Sequence, residues 1–140
     1  MSGFLLDTNV VSELVKPRPA PGVTGWIDAT DELLLHLSVL TLGEIRQGIA
    51  ALPHASRRVA LESWLETALQ PRFADRILPI DHAIADRWGR IAGEGRARKR
   101  PVPVVDGLLA ATALHHNLTF VTRNADDIAG TGVPVFDPWE

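Results

Sequence analysis

Apolar residues along this chain alternate between two habits, short uninterrupted runs and stretches with helical spacing. Gly3 to Leu6 is an apolar run without polar alternation, as expected of a parallel strand buried on both faces. Asp7-Thr8-Asn9 then offers capping side chains for a helix through Val10, Val11 and Leu14, which the Lys16-Pro17-Arg18-Pro19-Ala20-Pro21 turn ends. A second short helix carries Trp26 and Ile27. Leu33 to Leu37 forms the next strand-like run, and Leu42, Ile45, Ile49 and Leu52 repeat at helical spacing until Pro53. A further helix over about Ala55 to Leu69 is closed by Pro71, and Ile77 to Ile80 is short and β-like. Asp81 or His82 opens a long helix through Ile84, Trp88 and Ile91, which Pro101 and Pro103 stop. Val105 to Asn117 reads as helix, and Thr119–Thr122 and Val133–Phe136 read as the final strands. The predicted order β-α-α-β-α-α-β-α-α-β-α-β implies a mainly parallel sheet of four to five strands, covered by helices on both faces.

The remaining bulk properties narrow the class. A chain of 140 residues, 46% of them apolar and 22% charged, fits one globular domain over residues 1–140. No apolar stretch approaches the roughly 20 residues that span a bilayer, and Met1-Ser2-Gly3 leads straight into a strand without a signal peptide. Zero cysteines exclude disulfides, thiolate metal sites and cysteine nucleophiles, and with the absent leader they suggest a cytoplasmic location. A net charge of −3 is not that of a protein that coats nucleic acid nonspecifically. The one dense basic run, Arg96-Ala97-Arg98-Lys99-Arg100, reads either as a solvated helix end or as a phosphate-contacting rim.

Four acids stand where strand-like runs give way to helix-like ones: Asp7, Glu44, Asp106 and Asp127. Each has a structural explanation. Asp7 can be an N-cap, Thr41-x-x-Glu44 has the spacing of a capping box, Asp106 can stabilise a helix start, and Asp127 can open a terminal turn. Their shared position carries more information, because a parallel sheet gathers its strand C-termini along one edge. Carboxylates about 5 Å apart repel by roughly 3 kcal/mol per pair at an effective dielectric near 20, so a cluster calls for a cation. With oxygen ligands only, the expected ion is Mg²⁺, with Mn²⁺ as the alternative, leaving positions for water and a substrate phosphate. Such a site suits phosphodiester hydrolysis, with hydroxyls at Ser38, Thr41 and Thr122 positioning substrate. His36, His115 and His116 lack ligand spacing and read as structural, and Trp26, Trp64 and Trp88 read as core or interface residues.

Leu5-Leu6-Asp7-Thr8-Asn9-Val10-Val11-Ser12, Ser38-x-x-Thr41-x-x-Glu44-Ile45-x-x-Gly48, Val105-Asp106-Gly107-x-Leu109-Ala110-Ala111-Thr112-Ala113 and Thr122-Arg123-Asn124-x-x-Asp127 resemble, in order and spacing, the PIN-domain ribonucleases of the VapC/FitB toxin type. The resemblance implies a three-layer α/β/α sandwich and Mg²⁺-dependent endoribonuclease activity on RNA. It also implies a VapB-like antitoxin partner, and a homodimer that can assemble into a toxin–antitoxin heterotetramer or larger. It makes Asp7, Glu44, Asp106 and Asp127 metal ligands, with Asn124 and Asp126 as alternatives at the fourth position and Asn9, Thr41, Thr122 and Arg123 in support. Ile128 stands where the family pattern has an aromatic residue.

Two other acidic Mg²⁺ sites on similar sheets compete. A haloacid-dehalogenase-like phosphatase needs a second acid where Asn9 stands, and both it and a receiver-like signalling domain need a late lysine, whereas the only lysines are Lys16 and Lys99. A PIN module that binds RNA or antitoxin but cleaves weakly is the third alternative.

Overall fold

The computed structural model describes residues 3–140; Met1 and Ser2, on which part of the leader expectation rests, lie outside them. Five parallel strands run β1 (Phe4–Leu6), β2 (Leu35–Ser38), β3 (Ile77–Leu78), β4 (Thr119–Val121) and β5 (Val135–Phe136), in the spatial order β3-β2-β1-β4-β5. The sheet grows one way from β1 to β2 and β3 and the other way to β4 and β5. The direction of winding therefore changes between β1 and β4, and a crevice opens there beyond the strand C-termini.

The pleat explains the two cores. Leu5 and Phe120 face one layer, where they pack with Leu109, Ala110, Ala113 and Ile128. Leu6 and Val121 face the other, with Val10, Val23, Ile45, Ile49 and Phe73. Leu5, Leu6 and Val121 are fully buried and Phe120 nearly so, so β1 and β4 have no polar face. The layer around Leu6 is built from α1 (Thr8–Glu13), α2 (Pro21–Ala29), α3 (Val39–Ala50) and α4 (Ala55–Trp64). The opposite layer holds α7 (Val104–His115), against which α6 (His82–Ala97) packs. This is the expected α/β/α sandwich, with a sheet that is wholly parallel.

Several local expectations are corrected. The helix entered at Ala55 is not closed by Pro71: α4 passes through a π-helical segment, Leu65–Leu69, into α5 (Gln70–Arg72), which contains the proline. The Gln70 N–H bonds Leu65 O, so the widened turn carries the chain past the proline. Leu33 and Leu34, expected to begin β2, lie instead in a 3₁₀ turn, Glu32–Leu34, capped by Asp31. The last helix-like segment is likewise 3₁₀, Ala125–Ile128. Trp26 meets Phe4 edge-on at 5.0 Å between ring centroids and Phe136 at 5.2 Å, closing the sandwich near β5. No helix among the described residues is long and apolar enough to cross a membrane.

Candidate metal centre

Asp7 follows β1 directly and Thr122 follows β4 directly, so the two flank the switch-point crevice. Asp7 is the N-cap of α1, with Oδ1 accepting from the Thr8 N–H at 2.7 Å. Its other oxygen, Oδ2, accepts from the fully buried Thr122 hydroxyl at 2.7 Å. Capping and site formation are thus the work of one carboxylate. The Thr122 oxygen in turn accepts from the Asn124 N–H at 3.0 Å and from Asn9 Nδ2 at 3.4 Å.

The capping-box reading of Thr41 and Glu44 is overturned. The N-cap of α3 is Ser38, whose Oγ accepts from the Leu40 N–H at 3.0 Å, and Glu44 lies beyond the first helical turn. Freed from a capping role, Glu44 accepts from the Thr8 hydroxyl through Oε1 at 2.6 Å. Thr41 is fully buried, and its hydroxyl has no partner among the described residues. Asp106 lies in the first turn of α7, as expected, but that helix is capped by Pro103 and gains no side-chain cap bond.

Electrostatics tie these acids together. Burial pushes the Asp7 carboxyl above the usual aspartate range despite its two hydrogen bonds, and the charges of Glu44 and Asp127 push it the same way. Asp106 is raised to about 6, by burial first and then by Asp7, Asp127 and Glu44. Of the three candidates for the fourth corner, Asp127 is the one whose charge acts on both Asp7 and Asp106. Asp126 opens onto neighbouring cavities beside Asp127, while Asn124 enters the network through its backbone. Arg123, a supporting candidate, lies with its guanidinium 5.1 Å from the centre of the Trp139 ring, on the wall of a cavity it shares with Asp127 and Asp137.

The donor set fits a hydrated divalent cation. Among the described residues no three acidic or histidine side chains form a ready-made cage. Mg²⁺ does not require one, since it retains several waters and takes only one or two carboxylates directly. Asn9 Oδ1, a buried acceptor with no partner among the described residues, suits a hydrogen bond from a hydrated ion. The carboxylates repel one another in a partly desolvated crevice, which a cation relieves.

Sequence reasoning missed Glu13. It is 5% exposed, accepts from Lys16 Nζ at 2.9 Å and from the Ala20 N–H at 2.9 Å, and so pins the proline-rich turn to α1. These bonds hold its carboxyl below the usual glutamate range. The only signal was an acid at the end of a helix with a lysine three residues on, which is usually a solvent-exposed pair.

A five-strand parallel sheet of this order with acids at its switch point defines the class. The PIN domain family model matches residues 4–131, and the chain belongs to that family. Toxin FitB of Neisseria gonorrhoeae is 37% identical over 97% of this chain and 98% of its own. The VapC ribonuclease Y4jK of Sinorhizobium fredii is 35% identical over 98% of both chains. Among solved structures, FitAcB from Neisseria gonorrhoeae superposes with a TM-score of 0.93 at 36% identity, covering 98% of this chain and 99% of that one.

Proposed function

We propose that this protein is a Mg²⁺-dependent endoribonuclease, with Mn²⁺ as a substitute, and the toxin of a toxin–antitoxin pair. The observation that carries the reading is the convergence of Asp7, Glu44, Asp106 and Asp127 at the switch point, where burial first and then their mutual repulsion raise the carboxyls of Asp7 and Asp106. Relatives named as toxins and ribonucleases over nearly the full length support it.

When bound, the ion lowers the pKa of water and offsets charge developing on the phosphoryl group. The chain does the holding. Asp7, Glu44 and Asp106 are the ligands, with Asp127 at the fourth corner. Thr122 fixes the Asp7 carboxylate through Oδ2, and Thr8 fixes Glu44 through Oε1. Asn9, bonded to Thr122, presents its unpaired carbonyl oxygen. The competing phosphatase and receiver chemistries both need a lysine after a late strand, and the chain's lysines, Lys16 and Lys99, both precede β4.

The antitoxin reading rests on a groove of about 280 Å³ between α1, α3 and α4. Ile45, Ile49, Leu61 and Trp64 give it apolar lining, Lys16 and Arg57 give it cations, and Thr8 and Glu44 also line it. An amphipathic segment of a VapB-like partner laid in it reaches the acidic centre and blocks it. A homodimer, free or within such a complex, completes the proposed assembly.

The test is cleavage of total RNA by the purified wild-type chain and by Asp106→Asn, with Mg²⁺ and with EDTA. Cleavage by wild type in Mg²⁺ alone, lost in Asp106→Asn, is the expected result. Equal cleavage by both proteins overturns the reading.

A further inference from the structure

We propose that Arg100, at the corner joining α6 to α7, is a substrate-positioning residue that grips an RNA phosphate next to the one cleaved; this rests on the ribonuclease reading above. The corner is built rather than frayed. The Arg98 N–H closes on Glu94 O at 3.0 Å, Lys99 takes a left-handed backbone at φ 60°, and the Arg100 N–H returns to Gly95 O at 2.8 Å. A Cβ at Gly95 would lie 2.8 Å from Arg100 O, so glycine is what lets the chain fold back this tightly. Pro101 and Pro103 then stiffen the passage into α7, three residues before Asp106.

This fold-back puts Arg100 on the wall of a cavity of about 290 Å³ that Asp126 and Asp127 also line. Among the described residues no carboxylate lies within ion-pair distance of Arg100, Lys99 or Arg96, and Arg98 reaches Glu94 only at 3.8 Å. Arg72 and Arg76 both bind Glu32 at 2.8 Å and Arg90 binds Asp86 at 3.0 Å; of the arginines outside ion pairs among the described residues, Arg100 is the one that shares a cavity with Asp127 beside the first turn of α7. An unpaired Arg100 that shares a cavity with Asp126 and Asp127 without neutralising them leaves room for a ligand that satisfies both. A polyanion with a bound cation does so, the cation meeting the acids and a neighbouring phosphate meeting the guanidinium's paired donors. The basic run thereby supplies the attraction that a chain of net charge −3 lacks overall.

The experiment measures binding of a labelled single-stranded RNA of mixed sequence by anisotropy, with Ca²⁺ replacing Mg²⁺, across a range of salt. Arg100→Gln is expected to weaken binding about tenfold and to reduce the slope of log affinity against log salt by about 0.7. Arg100→Lys keeps the wild-type slope, and Arg90→Gln behaves as wild type. Wild-type affinity and slope in Arg100→Gln, or no RNA binding by the wild type, overturns the proposal. Cleavage of total RNA in Mg²⁺ is scored separately, so the ribonuclease reading and the Arg100 assignment fail independently.

Discussion

The Thr8 hydroxyl donates to Glu44 Oε1 at 2.6 Å and so couples the first turn of α1 to the middle of α3. A hydroxyl donor favours the ionised carboxylate and fixes which oxygen faces the crevice. Thr8→Val removes the donor while nearly preserving volume. Mn²⁺ affinity, followed by calorimetry, is expected to fall by about tenfold, and Thr8→Ser is expected to retain it. Equal affinity in Thr8→Val and wild type would show that Glu44 is oriented by other means.

Asp7→Asn is expected to move activity and stability in opposite directions. The substitution removes a buried charge that repels Glu44 and Asp127, while an amide oxygen can still accept from Thr8 or Thr122. The metal-free variant should melt above wild type in thermal denaturation, yet lose Mg²⁺-dependent cleavage of RNA. A lower melting temperature would mean that hydrogen bonds to the charged form outweigh its repulsion.

The raised carboxyls set a pH dependence with a definite sign. Asp106, at about 6 when folded against an ordinary 3.8, binds more protons in the native state than in the unfolded state across that window, and Asp7 acts in the same direction. The contribution of these groups to metal-free stability therefore falls as pH rises from about 4 to about 6. Saturating Mg²⁺, which favours the ionised carboxylates, should offset the stability lost by pH 6. Chemical denaturation at a series of pH values, with EDTA or Mg²⁺, reads both; a metal-free curve unaffected by Asp106→Asn would contradict the assignment.

Thr122→Val leaves Asp7 Oδ2 and the Asn124 N–H without their shared partner at a fully buried position. The expected loss is about 1–3 kcal/mol in urea unfolding. Binding of Mn²⁺ should weaken as well, since Asp7 is then free to turn. A neutral substitution would show that the threonine serves packing alone.

The sheet could be read from the chain because buried parallel strands are apolar on both faces: Leu5-Leu6 and Phe120-Val121 serve both cores and leave no polar side. Strand order accounts for Asp7, at the end of β1, but not for Glu44, in the middle of α3, or Asp106, in the first turn of α7, because Val104-Val105, expected to be strand-like, are helical. What the chain concealed were choices between near-equivalent local options. Ser38 and Thr41 are both competent caps, and the outcome depended on where α3 began, which β2 pairing with β1 and β3 decides. Passage through Pro71 depended on a π-helical segment held by tertiary packing of Leu65 and Leu69. The burial of Glu13 required knowing that the Ala20 N–H would return to α1, a contact that hydrophobic spacing does not encode.

The bond between Asp7 and Thr122 spans 115 positions, and β1 must lie between β2 and β4 before it can form. Contacts of such separation close late, after long loops have been ordered. The crevice is therefore missing from any growing chain that has not yet delivered its last strands, whatever its amino-terminal half has already folded. The acidic crevice is thus a property of the nearly complete chain, and no amino-terminal fragment that lacks Thr122 can hold Asp7 as the finished fold does.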